Sequence, residues 1–357
     1  MRDLREIAAV GNRVGGGAPA VLATVVKVVG SAYRGAGARL LVLPDGTTAG
    51  SVSGGCLERD VVAHAERVSA SGKPALICYD LSADEGPWGL GMRCGGTLEV
   101  LLEPLWEFPG QVSFLLEAAD RREPAVLVTV FRSTGEGAPP LGAFLMLGAD
   151  GSVSGPLART VLGAVALADA RQAMAEQRTF GRIHSLPGGG GGGDGDDGGV
   201  EVLVEFVLPP IRLVVGGHER ETRALALLAE GLGWDVRAFG RREDPPALDA
   251  RSAAVLMTHD DARDRDLLPV LLASPAPYVG LLGSRSRTGR LLDQLRERGA
   301  LAAGPPPPAL HTPAGLDIGA ETPAEVALAI AAEIQAVFAG RGGGSLRETK
   351  GSIHAGR

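Results

Sequence analysis

The sequence predicts an α/β protein of two bodies, a duplicated N-terminal α/β domain followed by a doubly wound parallel-sheet domain. Three observations predict it. First, AVLATVVKVVGSAYRGAGARLLVLPDG from Ala20 returns in altered form as AVLVTVFRSTGEGAPPLGAFLMLGADG from Ala125, 105 residues on. A spacing that persists marks a repeated structural unit. Second, beyond Leu208–Pro209–Pro210, short β-branched runs alternate with stretches of helical spacing, the rhythm of a parallel sheet wound on both faces. Third, 357 residues at 45% hydrophobic and 22% charged can bury a core in each body.

Taken in order, residues 3–14 have helical spacing and end at a glycine turn, Gly15–Gly17. Val21–Val29 and Arg39–Leu43 are β-branched or aliphatic runs closed by the turn Pro44–Asp45–Gly46. After the loop GSVSGGCLE, Leu57–Val68 carries Leu57, Val61, Val62 and Ala65 on one helical face. Ala75–Tyr79 and Leu98–Leu102 read as strands, with Cys78 expected to pack inside the first. The second hundred residues repeat this plan, LEVLLEPL at Leu98 answering to VEVLVEFVL at Val200. By eye, SVSGPLAR at Ser152 answers to SVSGGCLE at Ser51, which sets Pro156–Leu157 against Gly55–Cys56 and Asp197–Gly198–Gly199 against Cys94–Gly95–Gly96. The glycines of the repeat partly survive there and the sulfurs do not. The run Gly188–Gly193 with Asp194, Asp196 and Asp197 has no apolar anchor and reads as a flexible loop.

In the second body Ile211–Val215, Trp234–Phe239, Ala253–Met257 and Tyr278–Leu282 are strands, and Thr222–Leu232, Leu267–Leu272 and Thr288–Arg298 are helical. The last helix is marked by Thr322 as N-cap, Pro323 in its first turn, Glu325 closing a capping box and Gly340 as its stop. The expected domains are 1–208, with repeat units of about 1–106 and 107–208, then 211–341, then a mobile tail over 342–357.

Composition excludes several functions. A net charge of -7 argues against general binding of nucleic acid. No apolar run approaches the roughly 18 residues that span a bilayer. Three cysteines make no disulfide framework, and the charged start MRDLREIAAVGNRV lacks a secretory leader, so a reducing cytoplasm is expected.

The chemistry gathers in glycine-flanked positions. Cys56 follows Gly54–Gly55, and Cys94 precedes Gly95–Gly96. Such a thiol has backbone N–H donors close by and little side-chain cover, which suits a reactive cysteine; the alternative is two tight turns around small buried sulfurs. A structural zinc is not expected, since no C-x-x-C or histidine-rich tract accompanies them. In the parallel sheet, ligands belong at the carboxyl ends of the strands. Gly217–His218 stands at the first such end, and Ser284–Arg285–Ser286–Arg287 at the fourth forms an anion cradle of hydroxyls, guanidinium groups and helix-start amides. His259–Asp260 and the loop bearing Asp317 lie on the same rim. His64 and His184 have no such context and are expected at the surface. Val215 and Arg220 stand where a dinucleotide fingerprint needs glycine, and the second strand ends Phe239–Gly240–Arg241–Arg242 without a ribose-binding acid. NAD(P) is therefore a poor fit, and a phosphate-bearing ligand a better one.

SVSGGCLE at Ser51, CGGTLEVLLEP at Cys94, MTHD at Met257, YVGLLGSRSRT at Tyr278 and HTPAGLDIGAETPAEVALAIAAEI at His311 together resemble the xanthine dehydrogenase accessory family (XdhC/CoxI). The resemblance covers both ends of the chain and is weak over about 107–210. It implies a cysteine-bearing N-terminal domain, a Rossmann-like C-terminal domain, and a chaperone, not an enzyme in its own right. Its implied work is to bind molybdenum cofactor, protect it during sulfuration and insert it into a molybdenum hydroxylase of the xanthine or CO dehydrogenase type. A cysteine desulfurase and a second copy of the chain are the other implied partners. Cys56 and Cys94 match the family's motif cysteines and His218 the histidine of its glycine-histidine turn. With Gly54, Gly55, Gly95, Gly217, Ser284, Arg285, Arg287 and Asp317 they form the expected cofactor-binding set, in a cleft between the domains. An NAD(P)-dependent oxidoreductase with a redox-active cysteine is the alternative.

Overall fold

Successive buried side chains of one strand enter different cores, Val21 and Ala23 one and Ala20 and Leu22 another, which divides the N-terminal unit into layers. In the computed structural model, residues 1–11, 13–14, 19–30, 32–80, 96–185, 199–240 and 243–348 are described. They form two compact units, Met1–Pro209 and a second beginning at Pro210. The first contains α1 (Arg2–Gly11), β1 (Ala20–Val29), β2 (Arg39–Val42), β3 (Thr48–Gly50), α2 (Glu58–Ser71), β4 (Ala75–Asp80) and β5 (Thr97–Leu105). The same succession follows as α3 (Gly110–Arg121), β6 (Ala125–Ser133), β7 (Phe144–Gly148), β8 (Val153–Ser154), α4 (Gly163–Glu176), β9 (Phe180–Ser185) and β10 (Gly199–Val207). The two antiparallel sheets have matching orders, β3-β2-β1-β5-β4 and β8-β7-β6-β10-β9.

Val21, Ala23 and Val25 of β1 pack under α2 with Leu57, Val61, Ala65 and Val68. Val126, Val128 and Val130 of β6 do the same under α4. The opposite strand faces meet one another: Val26 and Leu101 of the first half pack against Phe131 and Leu203 of the second. The unit is thus layered helix, sheet, sheet, helix. Between the sheets Lys27 reaches Glu201 (2.9 Å) and Glu99 (3.7 Å), and Arg132 reaches Glu99 (2.7 Å) and Glu201 (2.6 Å). Each basic residue therefore bridges its own half to the other.

Strand register corrects the expected alignment of the repeats. Leu40 pairs with Gly50 and Leu41 with Ala49; in the second half Met146 pairs with Ser154 and Leu147 with Val153. Gly155 therefore answers to Gly50, the fully buried Leu157 to Val52, and Leu162 to Leu57, both at a helix N-cap. Cys56 stands opposite Val161 and Glu58 opposite Gly163, not opposite the residues of SVSGPLAR that they resemble by eye. Burial decides the match, because one apolar anchor must enter each core at the same place. The expected glycine-rich loop over 188–193 lies outside the described residues.

The second unit contains β11 (Arg212–Gly217), α5 (Glu219–Gly231), β12 (Asp235–Phe239), β13 (Ser252–Met257), α6 (Asp261–Leu272), β14 (Tyr278–Leu281), α7 (Arg285–Glu297), β15 (Leu310–His311) and α8 (Pro323–Phe338). All strands are parallel, in the order β12-β11-β13-β14-β15. α5 and α8 cover one face with Leu225, Ala229, Ile330 and Ile334, and α6 and α7 the other with Leu267, Leu268, Leu271, Leu291, Leu292 and Leu295. This is the doubly wound, Rossmann-like sheet that the alternating pattern predicts. Thr322 and Glu325 close the capping box of α8. Residues 342–348 are exposed, and the rest of the expected tail is outside the described residues. Among the described residues no helix is long and apolar enough to cross a membrane.

Candidate functional site

The loop between β3 and α2 is built around one carboxylate. Val52 and Leu57 are buried anchors at its two ends. Between them the chain turns back over Glu58, in the first turn of α2. Glu58 Oε1 accepts from Ser51 Oγ (2.8 Å) and from the N–H groups of Val52 (3.2 Å), Ser53 (2.9 Å) and Gly54 (3.2 Å). Its Oε2 accepts from Gly55 N–H (2.8 Å) and from the Ser53 hydroxyl. Ser53 Oγ in turn accepts from Leu57 N–H (2.8 Å), and Ser51 Oγ from Gly54 N–H (2.9 Å). Burial alone would raise the Glu58 carboxyl, but the bonds from Ser53 and Ser51 outweigh it and bring its pKa down to about 2. Sequence reasoning missed Glu58, although an acid opening a helix after Ser-x-Ser-Gly-Gly is a capping signal.

Cys56 is free and exposed at the end of this turn. The N–H groups expected to serve its sulfur point at Glu58 instead. Gly54 and Gly55 both have positive φ, 81° and 116°. A Cβ on Gly54 would lie 2.4 Å from the ring of Tyr33, which is 75% exposed, whereas nothing stands within 4 Å of one on Gly55. Cys94 and Gly95 lie outside the described residues. Two expectations change here. Cys78, on the edge strand β4, is exposed, because its side chain faces away from α2. His184 is largely buried and pairs with Asp169 at 2.6 Å across β9 and α4, so it is not a surface residue.

In the second unit, strand order reverses at β11, between β12 and β13, and Gly217 and Met257 end neighbouring strands. A Cβ on Gly217 would come within 2.5 Å of the Met257 carbonyl oxygen, so glycine is required for these strand ends to approach. His218 follows as the N-cap of α5, exposed, with no capping bond from its side chain. At the start of α7, Ser284 Oγ accepts from Arg287 N–H (3.3 Å) and lies 3.1 Å from Ser286 Oγ. The two arginines of the expected cradle differ. Arg287 donates to Asp261 (2.7 Å), Asp264 (2.6 Å) and the Leu282 carbonyl (2.9 Å). It joins α6 to α7, and each of its three guanidinium nitrogens donates to protein. The Arg285 side chain is exposed and makes no ion pair or hydrogen bond with the described residues, while its backbone carbonyl accepts from the Thr288 hydroxyl (3.2 Å). Arg241 and Arg242 are outside them. Asp317 is exposed on the loop after β15. That loop is tied by a residue sequence reasoning did not name: Glu333 of α8 accepts from Tyr278 Oη (2.7 Å) and Gly315 N–H (2.8 Å) and lies 3.1 Å from His311 Nδ1. Among the described residues no group of three or more His, Cys, Asp or Glu side chains could hold a metal ion.

Residues 213–334 match the XdhC Rossmann domain, and residues 14–80 and 118–185 match the XdhC and CoxI family. The chain is 30% identical over 342 residues to a probable xanthine dehydrogenase subunit of Bacillus subtilis (strain 168), covering 88% of this chain and 92% of that one. The chain belongs to the XdhC and CoxI family. Another relative of this XdhC/CoxI chain, 26% identical over 79% of it and 73% of the relative, is the molybdenum cofactor insertion chaperone PaoD of Escherichia coli (strain K12). A crystal structure described as a xanthine dehydrogenase from Bacillus halodurans shares the fold at a TM-score of 0.69 and 24% identity, covering 98% of each chain.

Proposed function

We propose that this XdhC/CoxI chain is an accessory chaperone. It binds molybdenum cofactor, protects it during sulfuration and inserts it into a molybdenum hydroxylase of the xanthine dehydrogenase type, without turning over a substrate itself. The observation that carries the reading is Cys56, a free, exposed thiol on a loop preorganised around Glu58, in a chain related to a cofactor insertion chaperone. The cargo is an anionic pterin phosphate bearing a dithiolene and a metal. A soft thiolate suits its metal or its labile sulfur, Gly55 leaves the backbone beside the thiol open to close approach, and Gly54 belongs to the same proposed set. In the second unit Gly217, His218, Ser284 and Arg285 offer amide, hydroxyl and guanidinium donors to the phosphate. Arg287 supports that helix start instead of touching the ligand. Cys94, Gly95 and Asp317 complete the proposed set. A cytoplasmic homodimer that takes sulfur from a cysteine desulfurase fits the same reading.

The protein purified from a molybdenum-replete host is expected to release fluorescent oxidised pterin on denaturation. Cys56→Ala and Arg285→Ala are expected to carry several-fold less. Full retention by both would overturn the site assignment. Tight binding of NADPH in an ultraviolet titration would favour the oxidoreductase alternative.

A further inference from the structure

The unit's own duplication supplies a comparison for the cysteine loop. Both halves seat their outer helix with the same two anchors, Val52 and Leu57 in the first and Leu157 and Leu162 in the second, all buried. The second half does so without a carboxylate, because Gly163 stands where Glu58 does. Its turn, Pro156–Arg159, closes by backbone bonds, Ala158 N–H to Gly155 O (3.3 Å), Thr160 N–H to Leu157 O (3.1 Å) and Gly163 N–H to Thr160 O (3.0 Å), with one side-chain bond, from the Thr160 hydroxyl to Leu157 O (2.8 Å), and no carboxylate. Seating the helix therefore does not call for an acid. What Glu58 adds is a hold on the loop that carries the first anchor, where it engages Ser51 to Gly55, the five residues before Cys56. The second half presents Val161, 74% exposed, at the position of the thiol.

We propose that Glu58 is the positioning residue of the cysteine loop: its carboxylate gathers the loop's N–H groups, which fixes the turn that presents Cys56 and withholds those donors from the sulfur. The two carboxylate oxygens divide the work. Oε1 holds Ser51, Val52, Ser53 and Gly54, and Oε2 holds Gly55 and the Ser53 hydroxyl, the part of the turn next to the thiol. An amide in place of the carboxylate keeps one acceptor oxygen and loses the other. Where Cys56 is taken to meet cargo, this inference rests on the chaperone reading; where it concerns the turn and the thiol, it does not.

The test uses the full chain as parent, Glu58→Gln and Glu58→Ala, with hydrogen exchange resolved at the amides of residues 52–55 and iodoacetamide labelling of Cys56 read by peptide mass spectrometry. In Glu58→Ala those amides are expected to exchange about tenfold faster while the body of α2 keeps its protection. In Glu58→Gln the gain is expected at Gly55, with Val52, Ser53 and Gly54 little changed, a split that general loosening of the loop would not produce. Alkylation of Cys56 at pH 7 is expected to rise about threefold or more in both variants, since freed N–H donors favour a thiolate. Parental exchange rates at residues 52–55 in Glu58→Gln, or unchanged alkylation in both variants, would overturn the proposal. Should Glu58→Ala fail to fold, Glu58→Gln decides alone. Pterin retention is read in parallel. A released loop with undiminished pterin would leave the positioning role standing and refute the part given to Cys56 in cargo binding.

Discussion

Gly54 carries two constraints at once. Its φ of 81° lies in the left-handed region, and the Tyr33 ring occupies the space a Cβ would fill. Gly55 carries only the first, with φ 116° and open space around it. Gly54→Ala is therefore expected to destabilise the chain by about 2 kcal/mol and Gly55→Ala by about 1 kcal/mol, measured as shifts in urea midpoint. Equal costs would mean that Tyr33 yields freely. At this scale the sequence was readable for the turn at Gly54 and Gly55 and for the exposure of Cys56, because backbone freedom and lack of side-chain cover belong to residue type. It was silent on Glu58, whose role exists only once residues 51–55 fold back over its carboxylate. It also misplaced Cys78, since which side of an edge strand faces the helix depends on register.

The helices of the second unit show two arginines, two positions apart, with different employment. Arg287 is bound to Asp264, whose side chain is fully buried, and burial pushes that carboxyl up against the opposing pull of Thr258 and Arg287. Removing the guanidinium leaves a buried acid without its cation, so Arg287→Ala is expected to cost about 3 kcal/mol in urea denaturation. Arg285→Ala, on the exposed side of the same turn, is expected to change stability by about 0.5 kcal/mol or less while lowering pterin content. A parental unfolding midpoint in Arg287→Ala would show that the α6–α7 link is dispensable. Elements with strong local signals were legible, above all α8 with Thr322, Pro323 and Glu325. Strands of two or three residues such as β3 and β8 were not, because so short a stretch has no periodicity to read.

Duplication organises the N-terminal unit, and one buried pair departs from it. Glu205 of β10 lies against Gly37 and is held by Arg39 through two bonds of 2.5 and 3.0 Å. Glu103 lies in the same way against Gly142, but Phe144 stands where an equivalent arginine would be. Burial, only partly offset by the more distant Arg39, pushes Glu103 up to about 7, from an ordinary 4.5. The folded chain then holds a proton that the unfolded chain has lost between those values, so stability falls as pH rises through that window. Glu103→Gln is expected to match the parent below about pH 4 and to exceed it by about 3 kcal/mol at pH 8 in chemical denaturation. A difference independent of pH would refute this. By itself, the sequence determined the two bodies, the repeat, the parallel sheet and the glycine-flanked thiols, because hydrophobic spacing and turn residues act locally along the chain. Only the tertiary structure decided that Cys56 answers to Val161, that Glu58 takes the loop's donors and that Arg287 serves α6. Those assignments depend on which buried groups meet across strands and helices far apart in the chain, and no local pattern encodes that meeting.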